Sequence, residues 1–114
     1  MIGWSGQGRI YLCRAATDMR KSFDGLSGLV RGTFDRDPLS GDLFVFMNRR
    51  RDLVKILYWD RDGFAMWAKR LERGRFMLPS SSEPEVDRAT LVLLMEGVKA
   101  RVLFRSPRWT GANR

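Results

Sequence analysis

The chain contains no histidine and a single cysteine. Without histidine it lacks the usual general base, the commonest metal ligand and every Ser-His or Cys-His nucleophile. One cysteine, Cys13, can build neither a zinc site nor a disulfide within the chain. In a run of β-formers it reads as a small buried hydrophobe, and it fits a reducing cytoplasm. No run of about 18 or more apolar residues occurs, so no membrane-spanning helix is expected. Residues 1–8 lack the basic-then-apolar pattern of a secretory signal. No Walker-type phosphate loop is present, because Gly6-Gln-Gly8 is too short and has neither the lysine nor the Ser/Thr of that motif. There is no internal repeat and no low-complexity tract.

What is present is basic charge. Lysine and arginine number 21 against 13 acids in 114 residues, a net charge of +8. A pI near 10.8 favours a polyanionic partner, nucleic acid being the commonest. Hydrophobic residues make up 44% of the chain, enough for a core, and the length suits one domain.

Residues 41–76 organise the rest. Apolar runs at 43–47, 53–59, 64–71 and 75–78 are separated by short polar breaks, two of which contain glycine. Parallel pairing would need crossovers of about a dozen or more residues, so the spacing predicts an antiparallel meander. In the second run Val54, Ile56 and Tyr58 alternate with Leu53, Lys55, Leu57 and Trp59. In the third, Phe64, Met66 and Ala68 alternate with Ala65, Trp67, Lys69 and Leu71. Both faces are partly apolar, so the sheet is covered on both sides or carries a partner surface.

Before this block lie a short strand at 9–13 and a helix capped by Thr17 or Asp18 and running to Phe34. Met19, Phe23, Leu26, Val30 and Phe34 recur at helical spacing, and are expected to pack on Val54, Ile56 and Tyr58. Gly25, Gly28 and Gly32 fall on the opposite side. They are either tolerated there or leave a bare surface for close approach. After the block, 79–84 reads as a linker, 86–96 as a second helix ending at Gly97, and 99–105 as a last strand. The expected class is α+β: an antiparallel β-meander of four or more strands packed with two helices. The expected organisation is a flexible leader over 1–8, one domain over 9–105 and a disordered tail over 106–114.

Three basic groups are candidates for phosphate contact. Arg49, Arg50 and Arg51 form a hairpin tip with Lys55 just inside the next strand. Lys69, Arg70, Arg73 and Arg75 surround the third break. Arg20 and Lys21 fall in the first turn of the expected first helix, where backbone N–H groups already favour an anion. Hairpin tips reach phosphates and grooves, and arginine binds phosphate bidentately. The alternative is that charges at turns and edges only discourage aggregation. Asp60 and Asp62 would hold Mg²⁺ only with a third acid, and Asp-x-Asp-Gly is ordinary turn chemistry. No catalytic residue, metal or cofactor is expected.

The ordered segments TDMRKSFDGL at 17–26, DPLSGDLFVF at 37–46, KILYWD at 55–60, Gly63-Phe64 and KRLERGRF at 69–76 resemble one family. It is the small accessory protein, TnpB or second-reading-frame protein, of insertion-sequence-66-type bacterial transposons. The resemblance covers about 9–97, with LLMEG at 93–97 similar to a segment near the family's end. Residues 98–114 depart from the pattern. The resemblance implies a protein needed beside a separate transposase, which carries the acidic catalytic residues, with no activity of its own assigned. No site residues are carried over from it. The reading is therefore a non-catalytic, cytoplasmic accessory factor for DNA transposition that binds DNA through Arg20, Lys21, Arg49, Arg50, Arg51, Lys55, Lys69, Arg70, Arg73 and Arg75. The alternative is a module that tethers the transposase without touching DNA, through Trp59, Trp67 and the Gly25, Gly28 and Gly32 face.

Overall fold

Every residue of the run Leu43–Met47 is buried, as an inner strand covered on both faces requires. The computed structural model describes residues 8–97. In chain order the elements are β1 (Ile10–Leu12), α1 (Phe23–Leu29) with a wider π-helical turn over Val30–Phe34, β2 (Leu43–Met47), β3 (Leu53–Asp60), β4 (Gly63–Arg70), β5 (Glu85–Val86) and α2 (Arg88–Glu96). The sheet order is β4-β3-β2-β1-β5.

The class is α+β, but the sheet is mixed rather than an antiparallel meander. β2, β3 and β4 follow one another as antiparallel hairpin neighbours. β1 lies parallel to β2, with Ile10 opposite Leu43, and β5 runs antiparallel to β1. The stretch between β1 and β2 holds α1 and is long enough for the crossover that a parallel pair needs. The fourth apolar run is not a strand. Phe76 is buried, and its backbone N–H donates to Arg51 O at 2.7 Å. Nor is 79–84 a linker. Arg14 donates to Pro79 O at 3.2 Å and to Glu83 O at 2.6 Å, and Leu12 N donates to Pro84 O at 2.7 Å. These bonds lead the chain along the edge of β1 into β5.

The two helices cover opposite faces. Ile10, Leu12, Leu43, Val45, Val54, Ile56 and Tyr58 meet Phe76 and the α2 residues Leu91 and Leu94. Tyr11, Phe44, Phe46 and Leu57 meet Leu26 and Val30 of the α1 layer, with Phe34 edge-on to Phe46. The expected stack of Val54, Ile56 and Tyr58 on Met19, Phe23, Leu26 and Val30 is thus corrected. Those strand residues are buried, but under α2, and Phe23 is 43% exposed.

α1 starts at Phe23, later than Thr17 or Asp18. Lys55 Nζ donates to Met19 O at 2.7 Å and Lys21 O at 2.9 Å, taking carbonyls that a longer helix would give to its own amides. Asp18 binds Arg20, and Thr17 N bonds Met47 O at 2.9 Å, so this segment docks on the sheet instead. α2 matches expectation closely: the Asp87 carboxylate accepts from Thr90 N at 2.7 Å and Gly97 ends the helix at φ 73°. The leader apart from Gly8, the strand expected at 99–105 and the tail at 106–114 lie outside the described residues.

Candidate nucleic-acid interface

Strand direction gathers most of the basic residues at one end of the sheet. The β2–β3 connection is a β-turn in which Arg51 N donates to Asn48 O at 3.1 Å, placing Arg49 and Arg50 at its projecting corners. The Asn48 side chain closes the loop. Its Oδ1 accepts from Asp52 N at 3.0 Å and Leu53 N at 3.1 Å, and its Nδ2 donates to Asp52 Oδ1 at 2.6 Å. β4 runs antiparallel to β3, so Arg70 lies opposite Leu53 at this same end.

The segment after β4 is then tied to the tip by two backbone bonds. Leu71 N donates to Asp52 O, and Phe76 N to Arg51 O, each at 2.7 Å. The turns carrying Arg49–Arg51 and Arg73–Arg75 are therefore neighbours in one rigid arrangement. The docked segment carrying Arg20 and Lys21 reaches the same end through the Thr17–Met47 and Lys55–Lys21 bonds. The far end of the sheet has Asp42, Asp60, Asp62 and Glu85, with Arg9 and Arg61 among them.

The basic residues are not equivalent. Arg49, Arg70, Arg73 and Arg75 are exposed, and Arg51 is half-buried. Arg50 is exposed, with Asp52 at 3.8 Å. Lys55 and Lys69 are committed inward: Lys55 holds the 17–22 segment, and Lys69 Nζ donates to Met95 O at 2.9 Å at the end of α2. Arg20 is paired to Asp18 at 2.7 Å. The hydrogen bond from its guanidinium, with one from its backbone, holds the Asp18 carboxyl well below the usual carboxylate range. Asp52 is lowered first by the Asn48 hydrogen bond and further by nearby Arg50 and Arg70. Arg20 and Lys21 precede α1 rather than occupy its first turn.

The expected partner surface does not come together. Trp59 meets Phe64 edge-on at 5.2 Å on the α1 side of the sheet. Trp67 packs on the α2 side beside Leu91, Val92 and Met95. A Cβ added at Gly25 would lie 3.0 Å from Lys21 Cβ, so the docked segment accounts for that glycine, while Gly28 and Gly32 face open space. Asp60 ends β3, and Asp62 is the second residue of the two-residue hairpin turn that leads to Gly63. Among the described residues no three His, Cys, Asp or Glu side chains are grouped to hold a metal ion.

Sequence reasoning missed Arg14. It lies just past β1, is half-buried, and lines a cavity of about 90 Å³ together with Asn48, Arg49 and Arg51. Nothing local in the sequence separates it from other arginines, because its role depends on the distant 79–83 segment and β2–β3 turn.

Fold and site together define a small α+β domain, a mixed sheet between two helices with basic turns joined at one end. The chain belongs to the family of IS66 Orf2-like proteins, whose model matches residues 8–104. Membership connects it with insertion elements and with an accessory role in their transposition. It is 37% identical over 100 residues to uncharacterized protein y4hO of Sinorhizobium fredii, covering 85% of this chain and 87% of that one. It is 39% identical over 79 residues to uncharacterized protein y4jC of the same organism, covering 69% and 68%. No solved structure matches. Among the described residues no helix is long and apolar enough to cross a membrane.

Proposed function

We propose that this protein is a non-catalytic accessory factor that binds DNA during transposition through the basic end of its sheet. The observation that carries the reading is the pair of backbone bonds joining the Arg49–Arg51 turn to the Arg73–Arg75 turn. They hold several exposed guanidinium groups in one place, the arrangement that phosphate contacts require. The total absence of histidine supports a role without chemistry of its own, beside a transposase that supplies it. Lys55, Lys69 and Arg20 leave the expected set of direct contacts, since each is engaged within the domain. The proposed contacts are Arg49, Arg50, Arg51, Arg70, Arg73 and Arg75, with Lys21 at the margin.

The second reading, a module that tethers the transposase of the same element, is favoured by a different observation. Leu93 is 70% exposed and Val92 52% exposed on the outer side of α2, where they form an apolar surface.

Fluorescence anisotropy on a short duplex across a salt series tests the choice. Wild-type affinity should fall steeply with salt, by about 0.9 log unit per log unit of salt for each phosphate neutralised. Arg49→Ala with Arg50→Ala, and separately Arg73→Ala with Arg75→Ala, should each flatten that slope by roughly one to two units. The duplex should be recovered uncut with Mg²⁺ present. Wild-type slopes in both double variants would remove the basic end from the interface. No duplex binding, with retention of the purified transposase, would establish the tethering reading instead.

A further inference from the structure

We propose that the cavity between the end of β1 and the β2–β3 turn is a binding site for one phosphate group carried by DNA. The proposal deepens the reading above and rests on it. The cavity, about 90 Å³, is lined by the guanidinium-bearing residues Arg14, Arg49 and Arg51, and no carboxylate residue lines it. Uncompensated arginines around a small recess favour a compact, multiply charged oxyanion, which they bind through paired N–H donors. The volume admits several waters and therefore a phosphate group.

Arg14 gives the second, independent observation. Its Nη1 and Nη2 are committed to Pro79 O and Glu83 O, which fixes the guanidinium in place. Its Nε–H is buried and has no partner. A buried charged donor left unmade is unfavourable and rare in folded proteins, and an oxyanion in the adjoining cavity would satisfy it once the cavity wall opens enough to expose that N–H. The neighbouring groups cannot. Asn48 spends both side-chain atoms within the turn, and Asp52 is held there by Asn48. Arg49 makes no ion pair or side-chain hydrogen bond among the described residues, so its charge is available to a ligand. Arg51 lines the cavity from a left-handed backbone, φ 60°.

The test uses the full chain with three probes: inorganic phosphate, and two otherwise identical short duplexes ending in a 5′-phosphate or a 5′-hydroxyl. Phosphate binding is followed by the backbone amide resonances of Asn48 and Arg51, and duplex binding by anisotropy. Arg49→Gln is the main variant, because the side chain is exposed and its loss leaves the fold intact. Arg61→Gln, at the far end of the sheet, removes the same charge as a control. Saturable phosphate binding, and about tenfold weaker phosphate and duplex binding in Arg49→Gln but not in Arg61→Gln, is the expected result. A preference for the 5′-phosphate duplex that Arg49→Gln abolishes would assign the site to a DNA end. Equal binding of both duplexes, equally weakened, would assign it to an internal phosphodiester. No saturable phosphate binding, or equal effects of the two variants, overturns the site while leaving salt-dependent DNA binding by the wider surface intact. Phosphate binding without any duplex binding overturns the assignment to DNA and the wider reading with it.

Discussion

At Arg51 the backbone takes φ 60°, a region that costs an L side chain about 1–2 kcal/mol. The turn needs this conformation so that Arg51 O can face Phe76 N while Arg51 N still bonds Asn48 O. Glycine adopts it freely. Arg51→Gly should therefore leave the urea midpoint unchanged or raise stability by up to about 1 kcal/mol, whereas Arg51→Val should lower it by about 1–2 kcal/mol. Equal effects of the two would show that the turn relaxes. Lys55 teaches a related lesson. Its sequence neighbours are the arginines of the tip, yet its ammonium serves the Met19 and Lys21 carbonyls. Charge clustering in a sequence counts cations without revealing which ones are already engaged.

At the scale of elements, β3 is the strand on which both helix layers converge. Ile56 sits between Val45 of β2 and Trp67 of β4, with no exposed surface. Ile56→Ala should cost about 2–5 kcal/mol, from lost burial and the cavity left behind. Phe23→Ala, on the half-exposed start of α1, should cost less than about 1 kcal/mol. Paired urea denaturation curves check the contrast. A larger loss at Phe23 would mean that α1, rather than the β2–β3–β4 block under α2, dominates the core. Hairpin alternation, the apolar side of 86–96 and the Gly97 stop made β3, β4 and α2 legible in the sequence. α1 was overextended because the helical stripe from Met19 to Phe34 says nothing of the Lys55 side chain that captures two of its carbonyls.

At the scale of the molecule, basic residues gather at one end of the strands while several acids sit at the other, and three carboxylates have depressed pKa values. Asp18 is held down by Arg20, Asp52 by Asn48, and Asp87 at the other helix by Thr90. A folded value below the unfolded one means that the unfolded chain takes up protons first as pH falls. The stability these carboxylates contribute is present above about pH 4, the ordinary carboxylate value, and is lost as pH falls through the lower folded values. Thermal melting at low salt should show a level midpoint from pH 7 to 5 and a fall below about pH 4. A midpoint that stays level down to pH 2 would show that these bonds do not favour the folded state.

By itself the sequence determined the elements whose information is local. The period of two in 53–60 and 63–70, the turn residues between them, and the capped α2 needed no distant partner to be read. It also determined the basic excess and, through its motifs, the family. Tertiary structure decided what depends on residues far apart in the chain. It set β1 parallel beside β2, turned the apparent linker at 79–84 into the edge that delivers β5, and assigned the buried strand residues to α2 rather than α1. It also joined the Arg49–Arg51 and Arg73–Arg75 turns and brought Arg14 to the cavity beside the first of them. The physical reason is the same in each case. Backbone carbonyls and N–H groups must find partners when they are buried, and which partner is nearest is a property of the packed chain, not of any window of its sequence.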